Sequence, residues 1–170
     1  VVQALVLAKL GTALVEVGEL GRGRELAEAA ERVAGILTDP LFRAQVLADV
    51  ALVFARVGEF GRAERIAGSL DPLFRAQVLA DVALVFARVG EFGRAEHVAH
   101  GVDDPVERVR ALVGLAAVLV EVGELGRGRE LAEAAERVAR GFDDPVVQAL
   151  VLAKLGTALV EVGELGRGRE

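Results

Sequence analysis

Three residues near the middle of the chain have the types and spacing for metal chemistry. His97, His100 and Asp103 form a His-x-x-His-x-x-Asp run that a helix would set near one face. The sister segment carries Arg65 and Gly68 at the two histidine positions, so the run reads as drift on a solvated helix, with no metal bound. A second candidate is Gly18-Glu19-Leu20-Gly21-Arg22-Gly23-Arg24, which returns at 123–129 and 163–169. Its spacing matches neither glycine motif that cradles phosphate, no strand precedes it, and its internal glutamate would repel an anion. A helix-to-helix turn accounts for these glycines. Asp103 and Asp104 stand together as an acid–base pair would, but Asp104 precedes a proline and fits a helix cap. Cysteine and tyrosine are absent, Ser69 is the sole serine, and Thr12, Thr38 and Thr157 are scattered. No nucleophile, base and oxyanion site converge, so neither catalysis nor a cofactor is expected.

A charged ladder remains. Asp49 and Arg56, and again Asp81 and Arg88, are separated by seven residues, which keeps both charges on one helix face two turns apart. Two readings stay open: the wet edge of an otherwise buried helix, or a stripe that specifies a partner.

The elements that would carry these residues are set by internal repetition. Residues 1–25 recur letter for letter as 146–170, LFRAQVLADVALVFARVGEFGRAE occupies both 41–64 and 73–96, and LVEVGELGRGRELAEAAERVA spans 14–34 and 119–139. Such a chain is a stack of one small unit. The 25-residue twins are expected to fold alike. Asp39-Pro40, Asp71-Pro72, Asp104-Pro105 and Asp144-Pro145 mark unit starts, with Asp as N-cap and Pro at the first helical position. Glu107 falls where a capping box would place it. Each first helix runs to a Gly-Glu-Leu/Phe-Gly turn at 18–21, 58–61, 90–93, 123–126 and 163–166, whose leading glycine suits the left-handed conformation that ends a helix. The last first helix is expected over 146–162.

The two helices of a unit differ in character. The first, as in 75–89, is apolar on nearly every side except a stripe of Gln77, Asp81 and Arg88, and must lie between neighbours. The second, as in 24–37, sets Leu26, Ala27, Ala30, Val33, Ala34 and Leu37 against Arg24, Glu25, Glu28, Glu31 and Arg32. It reads as an outer helix with a Glu28–Arg32 pair on its wet side. The fold class is therefore all-α: an α-solenoid of about four and a half hairpins in one array, divided near 1–38, 39–70, 71–103, 104–143 and an incomplete 144–170. After Gly61 and Gly93 the second helix is short; after Gly21 and Gly126 it is about two turns longer.

Composition fits. The 170 residues are 53% hydrophobic and 27% charged, which excludes disorder. A mean hydropathy of +0.42 raises the question of a membrane. The longest apolar run, 111–120, is about half of the roughly 20 residues a spanning helix needs. A net charge of −6 without a basic stripe argues against nucleic acid, and no basic amphipathic segment suggests a membrane surface. No secretory leader pattern is present, so the reading is cytoplasmic; the missing initiator Met suggests a piece of something longer.

With these residues in place, the unit resembles the tetratricopeptide repeat across essentially the whole chain. The match is closest at Gly58-Glu59-Phe60-Gly61-Arg62-Ala63 and Gly90-Glu91-Phe92-Gly93-Arg94-Ala95, with Ala51, Ala67, Ala83 and Ala99 at small positions and Phe54 and Phe86 at an aromatic one. Leu47 and Leu79 depart from the family's bulky aromatic, and Gly23 and Gly128 replace the turn alanine. A looser similarity connects the chain to Ala-rich sensor repeats of bacterial signalling ATPases. The resemblance implies a right-handed superhelix whose first helices line a groove for protein or peptide. By position it places Gln45, Asp49, Leu52 and Arg56, then Gln77, Asp81, Leu84 and Arg88, in that groove, flanked by Lys9, Thr12, Glu16, Arg110 and Glu121. The Lys/Asn clamp for a terminal carboxylate is missing, since the chain has no Asn, so an amphipathic helix or another copy of the chain is the expected partner. Self-assembly into a filament or swapped oligomer is the rival, because the helix at 146–162 lacks a hairpin mate.

Overall fold

The computed structural model describes residues 2–167, and nine α-helices with no strand occupy them. In chain order α1 (Val2–Glu16) pairs with α2 (Leu20–Ala34), α3 (Pro40–Arg56) with α4 (Phe60–Gly68), α5 (Pro72–Arg88) with α6 (Phe92–His100), and α7 (Pro105–Glu121) with α8 (Leu125–Arg140). The last helix is α9 (Pro145–Arg167). The long and short second helices follow the unequal unit lengths: 15 and 16 residues for α2 and α8, nine each for α4 and α6.

Local chemistry starts and stops these helices. Asp39 accepts from the backbone N–H groups of Leu41 and Phe42, Asp104 from that of Glu107, and Asp144 from that of Val146. Asp71 departs from the expectation: its side chain makes no capping bond, although Pro72 still opens the helix. The capping box at Asp104 forms only its forward bond, because the Glu107 carboxylate accepts from Arg110 instead. Four hairpin turns share one geometry. Gly18, Gly58, Gly90 and Gly123 sit at φ of 87–91°, and the next residue's N–H reaches back five residues, as from Glu59 to the Phe54 carbonyl at 2.9 Å. This satisfies carbonyls that the helix end would leave open.

The fifth copy of the turn motif behaves differently. α9 runs through Gly163 to Arg167, so neither the helix end expected at 162 nor the turn at 163–166 is present. The twin segments therefore agree along the helix and diverge at the turn. In the first copy the reversed helix packs back on α1 through Gly23.

Helices contact in chain order. Each first helix packs on its hairpin mate and on the next first helix, each second helix packs on the following first helix, and second helices do not approach one another as closely. The core follows this layering. Val46, Val50, Val53 and Phe54 of α3, Val82 and Phe86 of α5, and Leu112, Leu115 and Leu119 of α7 are fully buried, whereas α2 buries only Gly23, Ala27, Ala30 and Ala34. The apolar face read over 24–37 is shorter than expected, since α2 ends at Ala34 and Leu37 lies beyond it. No buried polar or charged side chain occurs among the described residues. Small residues set the closest approach. A Cβ on Gly23 would stand 2.9 Å from the Gly11 carbonyl and 2.4 Å from Val15 Cγ2. Only glycine permits that contact between α1 and α2.

Candidate functional site

The eight residues assigned to the groove lie on first helices: Gln45, Asp49, Leu52 and Arg56 on α3, and Gln77, Asp81, Leu84 and Arg88 on α5. Their charges are largely engaged within the stack. Lys9 of α1 pairs with Asp49 at 3.0 Å, Arg56 donates to Glu16 of α1 at 2.9 Å, and Arg110 of α7 donates to Asp81 at 2.8 Å and to the Gln77 carbonyl at 3.2 Å. The stripe thus links α1 to α3 and α5 to α7. Burial disfavours the Arg110 charge, but bonds to Asp81 and Glu107 outweigh it and raise its pKa further. Gln45, Gln77 and Arg88 are exposed, and Leu52 and Leu84 are half-buried.

Counting back from the turn glycine explains the pairing. Nine residues before it stand Lys9, Asp49, Asp81, Gly114 and Lys154. Lys9 meets the aspartate at its own position in the next unit. Asp81 faces a unit with glycine there, and Arg110, one turn away, supplies the cation instead. The missing side chain at Gly114 also makes room for Leu84, whose Cδ2 lies 2.5 Å from where a Cβ would be. Beside them opens a cavity of about 370 Å³ between α5, α7 and α9, with Leu84, Val109, Val113, Val151 and Leu155 as apolar lining and Arg110 and Lys154 as its cations. Among the described residues Lys154 has no carboxylate partner, unlike its twin Lys9. A larger cleft of about 540 Å³ lies elsewhere, where long α2 adjoins short α4, and mixes Glu31, Arg43, Arg65 and Asp71 with an apolar floor.

The residues weighed for metal binding do not converge: His97 and His100 are exposed on α6, while Asp103 pairs with Arg75 at 3.2 Å. No group of three metal-capable side chains occurs among the described residues, and no helix there is long and apolar enough to cross a membrane.

Sequence reasoning missed an arginine series on the outer face. Arg62, Arg94 and Arg127 occupy one position, two residues after the turn aromatic or leucine. Each reaches back one unit: Arg62 to Glu28 at 3.3 Å and Glu31 at 2.5 Å, Arg94 to Glu64 at 3.2 Å, and Arg127 to Glu96 at 2.6 Å. Each also lies over a ring, at 3.9 Å for Phe54, 5.6 Å for Phe60 and 5.8 Å for Phe92. Arg24 joins the series in the forward direction, donating to Glu59. That bond from Arg24, reinforced by Arg62, holds the Glu59 carboxyl below its ordinary range despite partial burial. The expected Glu28–Arg32 pair gives way to this network, in which Glu28 forms an ion pair with Arg24 at 3.2 Å and accepts from Arg62. The recurring Arg was visible in the repeats, but its partners lie 30 to 34 residues away on another helix.

No protein-family model, curated protein or solved structure matches the chain.

Proposed function

We propose that the chain is a non-catalytic, tetratricopeptide-like α-solenoid that binds a protein or peptide along its layer of first helices. First helices that touch one another while second helices stand apart are what a stack curved toward the first helices requires. The exposed area of 9147 Å² also exceeds the ~8,000 Å² typical of a compact monomer of this mass, in keeping with an open array. The observation that carries the binding reading is the cavity between α5, α7 and α9, which combines an apolar floor with Lys154, a cation without a carboxylate partner among the described residues. An amphipathic helix bearing a carboxylate suits it. Asp49, Arg56 and Asp81 spend their charge on neighbouring units, so Leu84 and Lys154 carry more of the recognition than the charged ladder does. A displayed library of amphipathic helices selected on the full chain tests this. Selected peptides should be enriched in acidic residues and lose affinity for Lys154→Glu and Leu84→Ala. Binders indifferent to both substitutions, or none at all, would count against the groove.

A further inference from the structure

The helices α1 and α9 share one sequence yet bury opposite faces. In α1 the buried residues are Ala4, Ala8, Gly11 and Val15, covered by α2 and α3, while Val2, Val6 and Leu10 are 75%, 48% and 49% exposed. In α9 the counterparts of that open face are covered instead: Val151 and Leu155 are buried against the preceding hairpin. The counterparts of the covered face, Ala149, Ala153, Gly156 and Val160, are exposed. Each copy of the helix exposes the face that the other covers. The surface that fits the open face of α9 is therefore present in the molecule itself, as the α2–α3 surface that α1 occupies.

We infer that α9 of one copy docks on α2–α3 of a second copy in place of that copy's α1, giving an exchanged, head-to-tail oligomer. Gly156 would meet Gly23 of the second copy as Gly11 does within one chain, and Lys154 would meet its Asp49 as Lys9 does, at 3.0 Å. Charge selects exchange over simple end-to-end stacking. Stacking α9 directly on a second α1 would bring Lys154 against Lys9, where neighbouring units in the chain set lysine against aspartate. Lys154 borders both the groove and this face, but Gly156 does not line the groove, so the glycine variants test this proposal independently of the peptide-binding reading. In the unaltered chain the tethered α1 competes at an effective concentration in the ~mM range, so at about 10 μM the exchanged form is on the order of 1% of molecules.

Glycine substitutions in the full chain bias that competition. A Cβ at Gly11 would lie 3.1 Å from the Gly23 carbonyl, whereas nothing lies within 4 Å of one at Gly156. Gly11→Leu should evict α1 and leave α9 intact. Light scattering coupled to size exclusion should then show oligomers at several times the 17.8 kDa monomer mass, with the unaltered chain and Gly156→Leu remaining monomeric. The double variant Gly11→Leu/Gly156→Leu should return to monomer. A synthetic peptide of residues 146–162, added to the Gly11→Leu variant, should fill α2–α3 and dissolve the oligomers. A monomeric Gly11→Leu variant, a double variant that associates as strongly as the single one, or oligomers indifferent to the peptide would each overturn the proposal.

Discussion

Gly21 and Gly23 lie two residues apart in α2, and alanine at each should move stability in opposite directions. At Gly21 a Cβ meets nothing within 4 Å, so alanine contributes only its better helix propensity, about 0.5–1 kcal/mol of stabilisation. At Gly23 the same propensity gain meets an obstruction. Val15 Cγ2, 2.4 Å from the new Cβ, can turn aside, but the Gly11 carbonyl at 2.9 Å is helix backbone and moves only if α1 and α2 separate. Overpacking of this kind costs typically 1–3 kcal/mol, so the net effect of Gly23→Ala is a loss of about 1–2 kcal/mol. In a chain of this size that corresponds to about 2–6 °C in melting temperature, against a rise of about 1–3 °C for Gly21→Ala. Calorimetry and urea titration of both variants give the comparison. Trimming Val15 to alanine alongside Gly23→Ala should leave the loss in place, since the carbonyl contact persists. If Gly23→Ala proves as stabilising as Gly21→Ala, the close approach of α1 and α2 is not as described.

Arg62→Ala removes contacts to Glu28, Glu31 and Glu59 and the stacking over Phe54, and should cost about 1–2 kcal/mol, with the Arg62/Glu31 pair coupled in a double-mutant cycle. Glu59 gains its stabilisation from a depressed pKa. That contribution should be fully present above its ordinary value of 4.5 and lost as pH falls through the lower folded value, so urea midpoints of the native chain and Glu59→Gln should converge only in that acid window. Asp39→Ala loses two capping bonds and should cost about 1 kcal/mol, whereas Asp71→Ala, which loses none, should stay within about 0.5 kcal/mol by the same titration.

What was legible in the sequence was local. Asp-Pro starts, glycine stops and the contrast between all-round apolar and one-sided helices place eight of the described helices, because each signal acts within a turn or two of its own residue. Three things escaped that range. The turn motif at 163–166 has the same letters as those at 18–21 and 123–126, yet α9 continues straight through it, so the letters alone do not make the turn. The capping role of Asp71 depends on its side-chain conformation and not on the Asp-Pro pair itself. The charged stripe placed Asp49, Arg56 and Asp81 on one face as expected, but a single helix cannot reveal that the facing unit supplies Lys9, Glu16 and Arg110 as partners.

Equivalent, exposed turn positions in successive units measure the stack directly. The chain has no cysteine, and side chains at Gly21, Gly61, Gly93 and Gly126 meet open space, so paired spin labels on introduced cysteines should leave the packing intact. Electron–electron distance measurements from residue 21 should lengthen in order to 61, 93 and 126, by increments on the order of the 8–10 Å between packed helices. A 21-to-126 distance no longer than 21-to-61 would mean that the hairpins close into a bundle, and the account of an open, chain-ordered stack would fail.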